Sequence, residues 1–215
     1  MSSGTDERPL PNRSPAAKIQ ITKSKLLLVE GKDEELFFTA ALEYRSIGDI
    51  QVLPIAGKTR LRENLATLRR DPKFPAATCL AVIRDADNSS ASAFQSVCDS
   101  LLHHSLSVPK KHGEFTTALP RVGVFIMPDG KNNGMLETLC MQSVKGKAPT
   151  ACVESFLDCL MQSGSHPSPL DKARAHAWLA GQDDPEKRVG EAAQAGYWPF
   201  ADSAFDNLWQ FIGTL

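Results

Sequence analysis

Leu26-Leu27-Leu28-Val29-Glu30-Gly31-Lys32-Asp33-Glu34-Glu35 is the stretch that decides the fold. Four apolar residues stop abruptly at a carboxylate and a glycine. So short a run predicts a fully buried strand over 26–29 rather than a core helix. From Asp33 to Tyr44, Leu36, Phe37, Ala40 and Ala41 recur at helical spacing, which predicts a helix directly behind the strand.

The same unit repeats outward along the chain. Ile50 to Ile55 reads as a strand with Pro54 at its end. Residues 58–70 read as a helix with Leu61, Leu65 and Leu68 on one stripe. Cys79 to Ile83 is a third strand, and Ser89 to Leu106 a helix with Phe94, Val97 and Leu101 on its apolar side. Val122 to Met127 is a fourth strand, closed by the turn signal Pro128-Asp129-Gly130. Strand–helix alternation implies right-handed crossovers and a mostly parallel α/β sheet of about four strands, covered on both faces. Beyond Met135 the sequence reads as helices at 135–144, 150–162, 170–180, 185–195 and 203–213. Residues 1–18, with Pro9, Pro11 and Pro15 and little to bury, are expected to be a disordered leader. The expected organisation is therefore this leader, an α/β domain over 19–145, and a helical extension over 146–215 packed on the core.

Composition narrows the function classes. The 215 residues carry 24 basic and 25 acidic side chains, a net charge of −1, which excludes a grip on nucleic acid or membrane by bulk charge. No apolar run approaches the roughly 18 residues of a membrane span. The polar start of the chain lacks a basic-then-apolar signal, so secretion is not expected. Five cysteines, an odd number without a C-x-x-C pair, fit a reducing, cytoplasmic setting and buried apolar roles. His103-His104 reads as a solvated helix end, since adjacent helical positions diverge by about 100°.

In parallel sheets chemistry collects at the carboxyl ends of strands. Here those ends offer Glu30 after the first strand and Asp85-Ala86-Asp87 after the third. Carboxylates beside apolar strands must be solvated, paired or bound to a cation. In extended chain Asp85 and Asp87 face one side, so both can reach one ion. Magnesium takes oxygen ligands and usually needs only one or two carboxylates plus phosphate oxygens. The competing reading is an acidic solvated edge, with Glu30 facing the dipole of the following helix.

Leu27 to Glu35 resembles the first signature of the Toprim domain, an apolar strand followed by E-G-x-x-D/E, and its E-G-K-D wording is nearest the ribosomal-RNA maturases. Ala81-Val82-Ile83-Arg84-Asp85-Ala86-Asp87 resembles the second signature, a strand delivering D-x-D some 55 residues later. That domain is shared by topoisomerases, DnaG-type primases, maturases and the overcoming-lysogenization-defect nucleases. The resemblance covers about residues 23–140 and implies a Rossmann-like Toprim fold. It implies Glu30 as general acid/base or metal ligand, Asp85 and Asp87 as ligands of Mg²⁺ or Mn²⁺, and Gly31 as the glycine of a sharp turn. Asp33 or Glu34 matches a further acidic position of some nuclease branches. Glu137 resembles their later glutamate for a second ion, with a helix-dipole role as its alternative. A late catalytic lysine in some branches points to Lys172. Only Tyr44 and Tyr197 exist as tyrosine nucleophiles, and the zinc and polymerase modules of primases are missing, so nuclease is the activity left standing.

Gly57-Lys58-Thr59 is not a phosphate loop, because the earlier glycine would fall at Val52. The 58–70 helix instead carries five bases against Glu63. Lys58, Arg60 and Arg62 are thus candidates to meet a phosphate backbone, or else a solvated basic face. Lys145, Lys147 and Arg174 are further basic candidates. Trp178, Trp198 and Trp209 read as core or interface. A DNA or RNA substrate is expected. The alternative is a Toprim-like subunit that is silent alone and works with nucleic acid or an ATPase partner. Homo-oligomerisation is left open, and a membrane is not expected.

Overall fold

The computed structural model describes residues 20–215, so the expected leader over 1–18 lies outside the described residues. The apolar runs form β1 (Lys25–Val29), β2 (Ile50–Pro54), β3 (Cys79–Asp85) and β4 (Arg121–Met127). They make one parallel sheet in the order β2-β1-β3-β4. The helices are α1 (Lys32–Tyr44), α2 (Leu61–Arg70), α3 (Ser90–His103), α4 (Leu136–Ser143), α5 (Ala148–Gln162), α6 (Leu170–Leu179), α7 (Val189–Gln194) and α8 (Asp206–Ile212). This is the α/β, Rossmann-like arrangement expected, with helices on both faces.

Alternation along the strands divides the core in two. Leu26, Leu28, Leu80, Val82, Val122, Val124 and Ile126 point to α2 and α3. On α2 the stripe Leu61, Leu65, Leu68 is buried, as the spacing predicts. Leu27, Val29, Ala81, Ile83, Phe125 and Met127 point to the other face, which α1 shares with the helices from α4 onward. Phe37 and Phe38 of α1 meet edge-on, and Phe37 also packs on Phe200 and Phe205. Trp178 and Trp198 stack at 4.7 Å within the same layer. The helices after 146 thus belong to one continuous core with the sheet.

Several elements differ from the periodicity reading, among them the 203–213 helix, which opens with a 3₁₀ turn over Ser203–Phe205. The 58–70 helix opens with a 3₁₀ turn over Lys58–Arg60. The 185–195 helix shortens to Val189–Gln194, because Glu191 Oε2 accepts the Arg188 N–H at 2.9 Å and fixes the start there. Tyr44, at the end of α1, is half-exposed and stacks on Trp209. Gly31 has φ −150°, extended backbone open to any residue, so the turn itself does not demand glycine. Among the described residues no helix is long and apolar enough to cross a membrane.

Candidate functional site

The strand order reverses between β1 and β3, since β1 leads outward to β2 and β3 outward to β4. At such a switch point the two following loops part and leave a crevice at the carboxyl edge. Glu30, directly after β1, and Asp85, the last residue of β3, stand on its two sides. Glu30 Oε1 accepts the Asp85 N–H at 3.3 Å. Asp85 is only 8% exposed, and its Oδ1 accepts the N–H of Leu136, the first residue of α4, at 3.0 Å. Glu137 follows on α4, and its Oε1 lies 3.9 Å from Lys172 Nζ on α6. Contacts and charges thus link Glu30, Asp85, Glu137 and Lys172, which come from four separate parts of the fold.

Asp87 arrives differently from the extended D-x-D geometry. The strand ends at Asp85, and Asp87 turns to φ 49°, in the left-handed region that aspartate tolerates. Its backbone exchanges hydrogen bonds with Gly134 at 2.9 and 3.1 Å. Asp87 then lines a neighbouring hollow with Asn88 and Asp171.

Electrostatics confirm that these carboxylates feel one another. Burial pushes the Glu30 carboxyl above its ordinary range; Arg84 opposes this, while Glu34 and Asp87 add to it. Asp85 is held well above the usual range, first by burial and then by the charges of Glu30, Glu34 and Glu137. Glu137 is also raised by burial, against its own backbone N–H and Lys172. Each group lacks enough positive charge to offset desolvation.

The two acids that the resemblance left as alternatives have different partners. Asp33 Oδ1 accepts the Gly190 N–H at 3.0 Å and so ties α1 to α7, and its charge also bears on Glu137. Glu34 bears on Glu30, Asp85 and Glu137. Among the basic candidates, Arg62 lines a hollow with Arg84. Arg60 and Arg62 are exposed at the start of α2, and the Lys58 side chain lies outside the described residues. Lys145 and Lys147 line a hollow beside Arg174, which is bound by Glu154 and Asp171.

Sequence reasoning passed over Arg84. Its Nε lies 3.6 Å from Glu30 Oε1 and its Nη1 donates to Ser96 Oγ at 3.0 Å. The available signal was a cation next to D-x-D in a strand, which alternation must send to the opposite face from Asp85.

The donor set is oxygen only, which suits a hard cation such as Mg²⁺ or Mn²⁺. Among the described residues no group of three or more His, Cys, Asp or Glu side chains is placed to hold a metal ion. Magnesium does not require one, because it keeps waters and takes phosphate oxygens beside one or two carboxylates. A buried carboxylate such as Asp85, crowded by other acids, is what a cation relieves. By donor chemistry the residues fit such an ion.

The sequence model of the family described as protein of unknown function (DUF3226) matches residues 24–215, and the chain belongs to that family. No curated protein matches it. Among solved structures the chain is similar to the C-terminal region of the Xanthomonas campestris pv. campestris OLD protein, at 15% identity and TM-score 0.49 over 88% of this chain and 94% of that one. It is also similar to the C-terminal region of the Burkholderia pseudomallei OLD protein, at 16% identity and TM-score 0.47 over 90% of this chain and 98% of that one.

Proposed function

We propose that the chain is a Toprim-like phosphodiesterase acting on DNA or RNA with Mg²⁺ or Mn²⁺, centred on Glu30, Asp85 and Asp87. The observation that carries this reading is the hydrogen bond between the Asp85 N–H and Glu30 Oε1 across the switch point, which brings a buried and a partly buried carboxylate together. The order of the motifs supports it: E-G-K-D follows the first strand and D-x-D the third.

When bound, a divalent ion supplies charge neutralisation at the phosphoryl oxygens. The chain supplies the rest. Asp85 is fixed by the Leu136 N–H, so its free oxygen keeps one direction. Glu30 is positioned to hold or pass a proton at Oε2, because Oε1 is occupied by the Asp85 N–H and faced by Arg84. Lys172, half-exposed beside Glu137, offers a cation to a phosphate at the mouth. Glu137 is the residue for a second ion.

Plasmid and RNA incubated with Mg²⁺ or Mn²⁺ should be cut by the wild type and spared by Glu30→Gln and Asp85→Asn. Cutting that persists unchanged in both variants refutes the site.

A second reading, a subunit silent alone and activated by a partner such as an ATPase, is favoured by an apolar groove between α5 and α6. Pro149, Cys152, Val153, Phe156 and Trp178 line it, with Phe156 52% exposed. Activity that appears only on mixing with a partner would select this reading.

A further inference from the structure

On the face of the sheet opposite Asp85, α2 and α3 diverge at the carboxyl edge and leave a cleft of about 680 Å³. Its walls are Thr59, Arg62, Ser92, Gln95 and Ser96, with Arg84 reaching in from β3. We propose that this cleft is a phosphate-binding subsite that holds the strand of a nucleic-acid substrate beside the acidic crevice. The inference rests on the phosphodiesterase reading and adds where the substrate lies.

The lining is the chemistry a phosphate selects: two guanidinium groups, hydroxyls and a carboxamide. The one acid in the walls, Asp99, is already engaged, since its Oδ1 accepts from Gln95 Nε2 at 2.8 Å. Arg84 is incompletely used. Nη1 donates to Ser96 Oγ, but the buried Nε has no hydrogen-bond partner and sits 3.6 Å from Glu30, too far for one. A buried donor left unpaired is costly, and a planar guanidinium fork matches phosphate oxygens. Arg62 adds a second cation from the opposite wall, where α2 carries no acid except Glu63. The volume accommodates a nucleotide-sized group.

A strand, rather than a lone anion, is indicated by Arg84 belonging to both compartments. Its Nη1 donates to Ser96 Oγ in the cleft wall, while its Nε lies 3.6 Å from Glu30 Oε1. A phosphate in the cleft therefore lies one side chain away from the crevice, and the next linkage of the same strand is delivered toward Glu30 and Asp85. Glu30, Asp85, Glu137 and nearby Glu34 repel a phosphate that arrives without a cation; beyond half-exposed Lys172 at the mouth, the cleft supplies further positive charge.

The test measures binding of a short fluorescent single-stranded DNA to the full chain by anisotropy, in EDTA so that nothing is cut, across a salt series. Arg62→Glu and Ser96→Asp change exposed cleft residues; Lys73→Glu makes the same charge reversal as Arg62→Glu at the opposite edge of the sheet. Melting curves check that all three fold. Each cleft variant should weaken binding about tenfold and reduce the salt slope by about one, while Lys73→Glu shifts affinity less than about twofold. Wild-type affinity in both cleft variants, or no binding by the wild type, overturns the proposal. Inorganic phosphate should raise the melting temperature of the wild type and compete with the DNA. Phosphate that stabilises the wild type without competing marks a free-anion site and also overturns it. Cleavage by the wild type with Mn²⁺ is scored separately. Loss of binding in the variants without any wild-type cleavage leaves the subsite standing and removes the enzyme reading. Cleavage with unaltered binding does the reverse.

Discussion

Arg84 and Asp85 are neighbours in β3, yet they serve opposite faces of the sheet. Asp85 faces α4 and a crowd of carboxylates; Arg84 faces α2 and α3 and a cleft of hydroxyls and cations. Alternation in a single strand thus delivers opposite charges to two compartments, which approach each other where the Arg84 guanidinium nears Glu30. The acidic side is buried and raised in proton affinity, while the basic side is open. A net charge of −1 conceals this division.

The largest expected effect breaks the acidic side. Asp85→Asn preserves the oxygen that accepts the Leu136 N–H but removes the charge, so cleavage with Mg²⁺ should fall about 10²-fold or more. An equivalent loss in Arg62→Asn under saturating substrate would erase the distinction between the compartments. Next in size is the brace beneath the acidic side. A Cβ at Gly190 would sit 2.3 Å from the Asp33 carbonyl oxygen. Gly190→Ala must therefore push α7 off α1 and should cost about 1–3 kcal/mol in chemical denaturation. An unchanged midpoint would show that α7 does not hold α1 in place.

The acidic side should also be a stability cost that its function requires. Glu30, Asp85 and Glu137 have folded proton affinities above their unfolded ones. The folded state therefore binds more protons than the unfolded, and stability falls as pH rises from the ordinary carboxylate range through the raised values. Asp85→Asn should stabilise the metal-free protein at neutral pH by about 0.5–2 kcal/mol and flatten that pH dependence. Added Mn²⁺ should raise the melting temperature of the wild type and leave Asp85→Asn nearly unmoved. A variant that melts lower than wild type at neutral pH would show that crowding of charge is not what strains the site.

Much of this was legible in the sequence. The four strands announce themselves as apolar runs, and the carboxylates at their ends mark the carboxyl edge. The placement of Lys172 near Glu137 follows from the packing of α6 on α4, which no spacing encodes. How far Asp33 and Glu34 each bear on the crevice depends on the rotation of α1, about 100° per residue, with Asp33 engaged by the Gly190 N–H. Asp87 leaves the extended path because Gly134 binds its backbone, a partner 47 positions away. Arg84 was readable from alternation alone, had the cation been asked where it must point.

Lys172 offers the smallest effect and the sharpest separation of stability from chemistry. Its ion pair with Glu137 spans 3.9 Å and the lysine side chain is 51% exposed. Such pairs contribute about 0–1 kcal/mol, since solvent screens them and ordering a long side chain offsets the gain. Lys172→Met should therefore move the denaturation midpoint by less than about 0.5 kcal/mol, keeping the aliphatic packing while removing the charge. Cleavage should nevertheless slow, because Glu137 loses the cation that opposes its burial and the mouth loses a charge toward phosphate. Lys172→Arg should recover part of the rate. If Lys172→Met cuts as fast as the wild type, the lysine is a surface ion pair, and the acidic compartment is completed without a cation of its own.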